Sequence, residues 1–148
     1  MSYNPLNVGR QGKGSARQTI TNYQNGFGST IAQGTPVSTN GSGQIIPTDV
    51  ASQSSVQAMV GYANVAIPNL AFGPVISNGR LENIVTAFSI GDAIYIGLGG
   101  TLINVKPDYG VAGFASGDHV VFVGCLVKNE FNPSFTDLQL FTQTICKL

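Results

Sequence analysis

A chain of 148 residues suffices for one domain, and a domain of this size buries about 70% of the surface its unfolded form exposes. Its seven basic and seven acidic residues make up 9% of the chain, against about 25% in an ordinary soluble domain. Zero formal net charge excludes partners held by a cationic surface, nucleic acid and anionic membrane alike; 43% apolar content excludes general disorder, and 19 glycines with 7 prolines exclude long helices.

The charge is unevenly placed. Residues 1–48 hold Arg10, Lys13 and Arg17 and no acid, whereas residues 49–148 hold four bases against seven acids. Residues 1–18 are glycine-rich and lack an apolar period, so on their own they do not offset the entropy of ordering. They read as an arm, either frayed or ordered against an acidic neighbour, and Arg10, Lys13 and Arg17 are its docking candidates. No apolar run at the start resembles a signal peptide, and the longest apolar stretch, 120–127, is too short to span a bilayer. The expectation is a protein that is soluble where it is made.

From Thr19 onward, short apolar and β-branched runs alternate with turn residues, the grammar of an all-β sandwich or barrel of about eight to ten strands. The predicted strands are 19–23, 36–39, 44–48, 59–65, 73–77, 80–85, 93–97, 102–106, 119–128 and 138–145. Asn78-Gly79 signals a two-residue hairpin, and Asn40-Gly41 and Gly99-Gly100 signal similar turns. Residues 49–58 suit one short helix, with Thr48 as its cap. The last segment fits helix through Leu138, Phe141, Ile145 and Leu148, or strand through Leu138 and Leu140; Thr142 and Thr144 favour strand.

Residues 34–46 align without a gap on residues 91–103, matching Gly34 with Gly91, Gly43 with Gly100 and Ile46 with Ile103. Further on, Val60-Gly61 matches Val123-Gly124, and Asn69 and Phe72 match Asn132 and Phe135, across linkers of unequal length. The chain is therefore either two duplicated halves that close one core or a coincidence among glycine-rich β-segments.

Little in the sequence carries chemistry. Asp118 is the expected hydrogen-bond partner of His119, the single histidine, and no serine or second histidine completes a triad. The acids are scattered singly, without calcium-loop spacing. Cys125 and Cys146 have neither metal-ligand nor disulfide-framework spacing and are expected to be reduced and buried. The stretch 97–100 reads as a hairpin turn, since no helix start follows it to receive a phosphate, and the stretch 9–14 lacks the full phosphate-loop pattern. No catalytic, metal or cofactor site is expected. A carbohydrate-binding surface would have to rest on Tyr62, Tyr95 and Tyr109, because there is no tryptophan.

One resemblance covers most of the chain. Gly34-Thr35-Pro36-Val37 with Gly43-Gln44, Val60-Gly61-Tyr62-Ala63, residues 75–79, residues 89–95 with Gly100-Thr101-Leu102, and residues 121–126 follow the order and approximate spacing of a β-module of tailed-bacteriophage virions. That module resembles small capsid-decoration or head-fibre proteins and repeats within tail fibres. The loop 129–133 departs from the pattern, since such modules tend to end soon after the Val-Gly strand. The resemblance implies a non-enzymatic virion protein made in the host cytoplasm and seated on the capsid surface. Its partners would be the major capsid protein or neighbouring virion subunits, and it would form a homotrimer or another homo-oligomer. A tail component, fibre or spike module or adaptor, is the alternative. Phe27, Phe72, Phe114 and Phe131 are then the candidate subunit-interface anchors, with Phe88 and Phe135 near predicted loops as well.

Overall fold

The computed structural model describes residues 18–148. Among these residues there are ten strands: β1 (Thr19–Gln24), β2 (Pro36–Thr39), β3 (Ile45–Pro47), β4 (Met59–Ala63), β5 (Phe72–Asn78), β6 (Arg80–Leu81), β7 (Ala93–Ile96), β8 (Leu102–Ile103), β9 (His119–Lys128) and β10 (Thr136–Lys147). A five-residue helix, α1 (Gln53–Gln57), lies between β3 and β4. The strands form two five-stranded antiparallel sheets, ordered β1-β5-β4-β2-β3 and β6-β10-β9-β7-β8. This is an all-β sandwich; neither sheet closes into a barrel.

The second order repeats the first with every strand advanced by five, so each half of the chain builds one sheet with the same topology. The agreement extends to single hydrogen bonds. In the β2–β3 hairpin Asn40 N–H donates to Gln44 O (2.8 Å) and Gly43 N–H to Asn40 O (3.1 Å); in the β7–β8 hairpin Gly97 N–H donates to Thr101 O (2.7 Å) and Gly100 N–H to Gly97 O (3.3 Å). Gly34 N–H reaches Ala63 O and Gly91 N–H reaches Leu126 O, both at 2.8 Å. Val37 pairs with Gly61 and Ile94 with Gly124, and the register slips immediately after each pair.

That slip explains the repeated Val-Gly. Gly61 has φ 148° and Gly124 has φ 156°. A Cβ on Gly61 would strike the Ile76 carbonyl of β5, and one on Gly124 would strike the Gln139 carbonyl of β10. Glycine lets the two backbones approach there, as expected at a bulge.

Alternation along the strands sends neighbouring side chains to opposite faces. Val37, Ala63 and Val75 join Ile31, Ile45 and Ile67 in a cluster built within the first half. Tyr62 and Ile76, each one residue out of phase with that set, join the larger core, where Ile94, Ile96, Val121, Val123, Leu126, Leu138 and Leu140 of the second sheet meet them. One buried aliphatic side chain of this kind contributes about 1.5–3 kcal/mol.

Several local expectations change. Asn78-Gly79 is no hairpin: Asn78 pairs with Thr19 of the first sheet, while Gly79 O accepts Leu140 N–H (3.0 Å) of the second. Long-range pairing converts the turn into the corner between sheets. The helix begins later than expected, because Ser52, not Thr48, caps it by accepting Ser55 N–H; Thr48 is buried, its hydroxyl 2.8 Å from that of Ser38. The strand beginning at Arg80 stops at Leu81, since Asn83 turns to φ 53° and donates its N–H to Asp137. His119 is buried at the start of β9 with its ring Nδ1 3.0 Å from Val50 O, not on Asp118, whose carboxylate accepts Ala115 N–H instead. Both cysteines are free, but Cys125 is half-buried and Cys146 exposed.

Candidate functional site

The most distinctive surface feature is a set of apolar side chains held out by polar anchors. At one end of the first sheet lies Asn25, fully buried. Its Nδ2 donates to Ser29 O and Ile67 O, both at 2.8 Å, and its Oδ1 accepts Phe27 N–H at 2.7 Å. Its backbone pairs with the facing loop, through Asn25 N–H to Ala71 O and Leu70 N–H to Asn25 O. Asn69 Oδ1 then accepts Gly28 N–H at 3.0 Å. This network fixes Phe27, Leu70 and Phe72, which are 49%, 59% and 71% exposed. Leu70 stands at φ 64°, a left-handed conformation costing a non-glycine residue about 1–2 kcal/mol, and the bonds around Asn25 hold it there.

The second half uses the same device. Asn129 is buried, and its Oδ1 accepts the N–H groups of Phe131 and Asn132, both at 2.9 Å. Its Nδ2 donates to Asp137 Oδ2 at 3.0 Å and Glu82 Oε1 at 3.3 Å. Phe131 is left 65% exposed. Ile84 N–H donates to Thr136 O, which brings Val85, 91% exposed, beside the same loop. The charges here are structural: Asp137 is 1% exposed, bonded by Asn83 and Asn129, with Arg80 at 3.9 Å, and the Arg80 Nε donates to Gln139 Oε1.

Elsewhere the polar groups are engaged locally. The Asp92 carboxyl lies below the usual carboxylate range because it accepts Ser89 N–H and then the Asn104 amide. Burial pushes the Tyr62 phenol up, opposed by its hydrogen bond to Thr142. An open depression of about 590 Å³ is lined by Thr39, Asn40, Asp49, Ser52, Ser54 and Ser55, with Asp49 as its titratable group. Among the described residues no three His, Cys, Asp or Glu side chains converge as metal ligands.

Of the interface anchors read from sequence, Phe27, Phe72 and Phe131 stand on the surface. Phe114 does not: at 2% exposure it belongs to the core, packed where the 107–118 loop folds over the second sheet. Phe88 is partly buried against the same core, and Phe135 is 38% exposed. Arg10, Lys13 and Arg17 lie outside the described residues. Of the tyrosines weighed for sugar stacking, Tyr62 is fully buried, Tyr95 is half-buried edge-on against Phe122, and Tyr109 is exposed. Leu70, Val85, Phe141 and Ile145 are exposed apolar residues that the sequence reading missed. The loop dipeptide Asn69-Leu70 is a usable signal for the first of them; Phe141 and Ile145 carry only the helical spacing of the last segment, which does not mark an exposed strand.

Comparison of the chain with protein-family models, with curated proteins and with solved structures gives no match in any of the three.

Proposed function

We propose that this chain is a non-enzymatic structural protein of a tailed-bacteriophage virion, an auxiliary subunit of decoration or head-fibre type that oligomerises and binds the capsid shell. The observation that carries this reading is the pair of asparagine-anchored loops, which hold Phe27, Leu70, Phe72 and Phe131 in water, at the expense of backbone strain at Leu70. Apolar side chains fixed in this way suit permanent contact with a neighbour, and a surface that neighbours cover needs few charges. The ordered motifs from Gly34 to Leu126 that resemble phage virion modules support the neighbour proposed: the major capsid protein or an adjacent virion subunit.

In this reading residues 1–18, with Arg10, Lys13 and Arg17, contribute to docking. The test is occupancy on purified shells of the phage that encodes the protein. Full-length chain saturates the shells, the Phe72→Ser, Phe131→Ser variant loses occupancy while remaining folded, and removal of residues 1–18 weakens it. Shells that never take up the full-length protein overturn the proposal; undiminished binding without residues 1–18 removes the arm from it.

A further inference from the structure

We propose that a second copy of this chain pairs antiparallel with the free edge of β10, about a two-fold axis at Gln143, to form a symmetric dimer. The contact stands on the strand's geometry and sequence, and it holds whether or not the protein sits on a capsid.

In the first sheet, the seven residues of β5 are covered on their outer edge by the six-residue β1. The equivalent edge of β10 is covered only at Leu138 and Gln139, by the two-residue β6, and Leu140 N–H is taken by Gly79 O. Yet β10 has 12 residues and stays paired with β9 on its other side to Lys147. From Phe141 to Lys147 every residue is exposed. Among the described residues no strand pairs with this edge beyond Leu140. An unpaired row of backbone donors and acceptors is a template for another strand.

The sequence of the edge says which strand fits. Residues 141–145 read Phe-Thr-Gln-Thr-Ile, nearly the same in both directions about Gln143. Antiparallel pairing of two copies centred there sets Thr142 opposite Thr144, Phe141 opposite Ile145, and Gln143 opposite itself. Threonine–threonine and aromatic–β-branched pairs are among the favourable cross-strand neighbours. Lys147 would fall opposite Gln139, where β6 and its Arg80 already occupy the edge, so the ladder stops short of that position and spans 141–145. The two register shifts of β10 against β9 lie on either side of Gln143, between Leu140 and Gln143 and between Thr144 and Cys146. Both shifts fall within 141–145, at 141–142 and at 145, so their added twist keeps the new ladder short and centred on Gln143. A two-fold contact of this kind is isologous and closes at two copies.

The test is analytical ultracentrifugation of the full chain, with Gln143→Lys, Gln143→Glu and an equimolar mixture of the two. A ladder this short gives a reversible dimer with a Kd on the order of micromolar. Each variant sets like charges face to face on the axis and weakens the dimer about fivefold or more, while the mixture pairs opposite charges and recovers it. Gln143 is exposed, so matching circular dichroism and unfolding midpoints confirm that the fold is kept. A chain that stays monomeric at every concentration overturns the proposal, and pairing of the edge with residues 1–17 of its own chain would give that result. A closed trimer, or dimers indifferent to both charges, overturns it equally.

Discussion

The hydroxyl of Tyr62 lies 2.7 Å from Oγ1 of Thr142, joining β4 of the first sheet to β10 of the second. Tyr62 is fully buried and Thr142 is exposed, so the two ends of this bond are not equivalent. Removing the phenol oxygen leaves a threonine that water can satisfy, whereas removing the threonine oxygen leaves a buried phenol without a partner. Tyr62→Phe should therefore cost about 1 kcal/mol and Thr142→Val about 1–3 kcal/mol. Denaturant unfolding of both variants and of the double variant checks this, and the double should cost less than the singles combined.

The same phenol predicts an alkaline limit. Its folded-state pKa is raised above the ordinary phenol value of 10.0, with burial as the main cause. A raised acid is fully stabilising below its unfolded pKa, and the contribution falls as pH rises past that value, by up to about 1.4 kcal/mol per pH unit. The stability difference between wild type and Tyr62→Phe should shrink and then reverse above pH 10.0; a difference independent of pH there contradicts the assignment.

Gly61 and Gly124 test the duplication. Gly61→Ala and Gly124→Ala each drive a Cβ into a neighbouring carbonyl at a backbone angle that alanine avoids, and each should cost at least about 2 kcal/mol. Gly41 has open space and no positive φ, so Gly41→Ala should stay within about 0.5 kcal/mol. Thermal midpoints of the three variants separate the cases. A tolerated alanine at either bulge would show that the halves do not share this constraint.

Asp92 governs a turn on the second sheet. Its carboxyl pKa is lowered by Ser89 N–H and the Asn104 amide, so its contribution is present above the unfolded value and is lost as pH falls through the folded one. Unfolding midpoints of wild type and Asp92→Asn should therefore converge as pH drops below about 4 and separate above it. Parallel curves across that range would contradict the lowered pKa.

Features set by local determinants are legible in the sequence, and those set by distant partners are not. Strands β2 and β9 have the predicted bounds, and the repeated Gly34/Gly91 and Val-Gly positions are legible because backbone geometry demands glycine in both halves. Asn78-Gly79 misleads, since its local turn preference is overridden by Thr19 and Leu140, partners distant in sequence. Phe114 misleads for a related reason: a loop phenylalanine carries no periodic mark to show that its loop folds back over the core. Asn25 and Asn129 were invisible as anchors because an asparagine between strands reads as an ordinary turn residue until its partners, Ile67 and Asp137, are known. The free edge of β10 is a property of the sheet order, which no single segment encodes.

Whether the exposed apolar loops meet a capsid, as proposed, is read from an image of the intact particle. If the proposed function holds, cryo-electron microscopy of virions assembled with this chain labelled at its C-terminus should show the label on the outer capsid surface at symmetry-related positions. A label confined to the tail, or particles that lack the protein altogether, would contradict it.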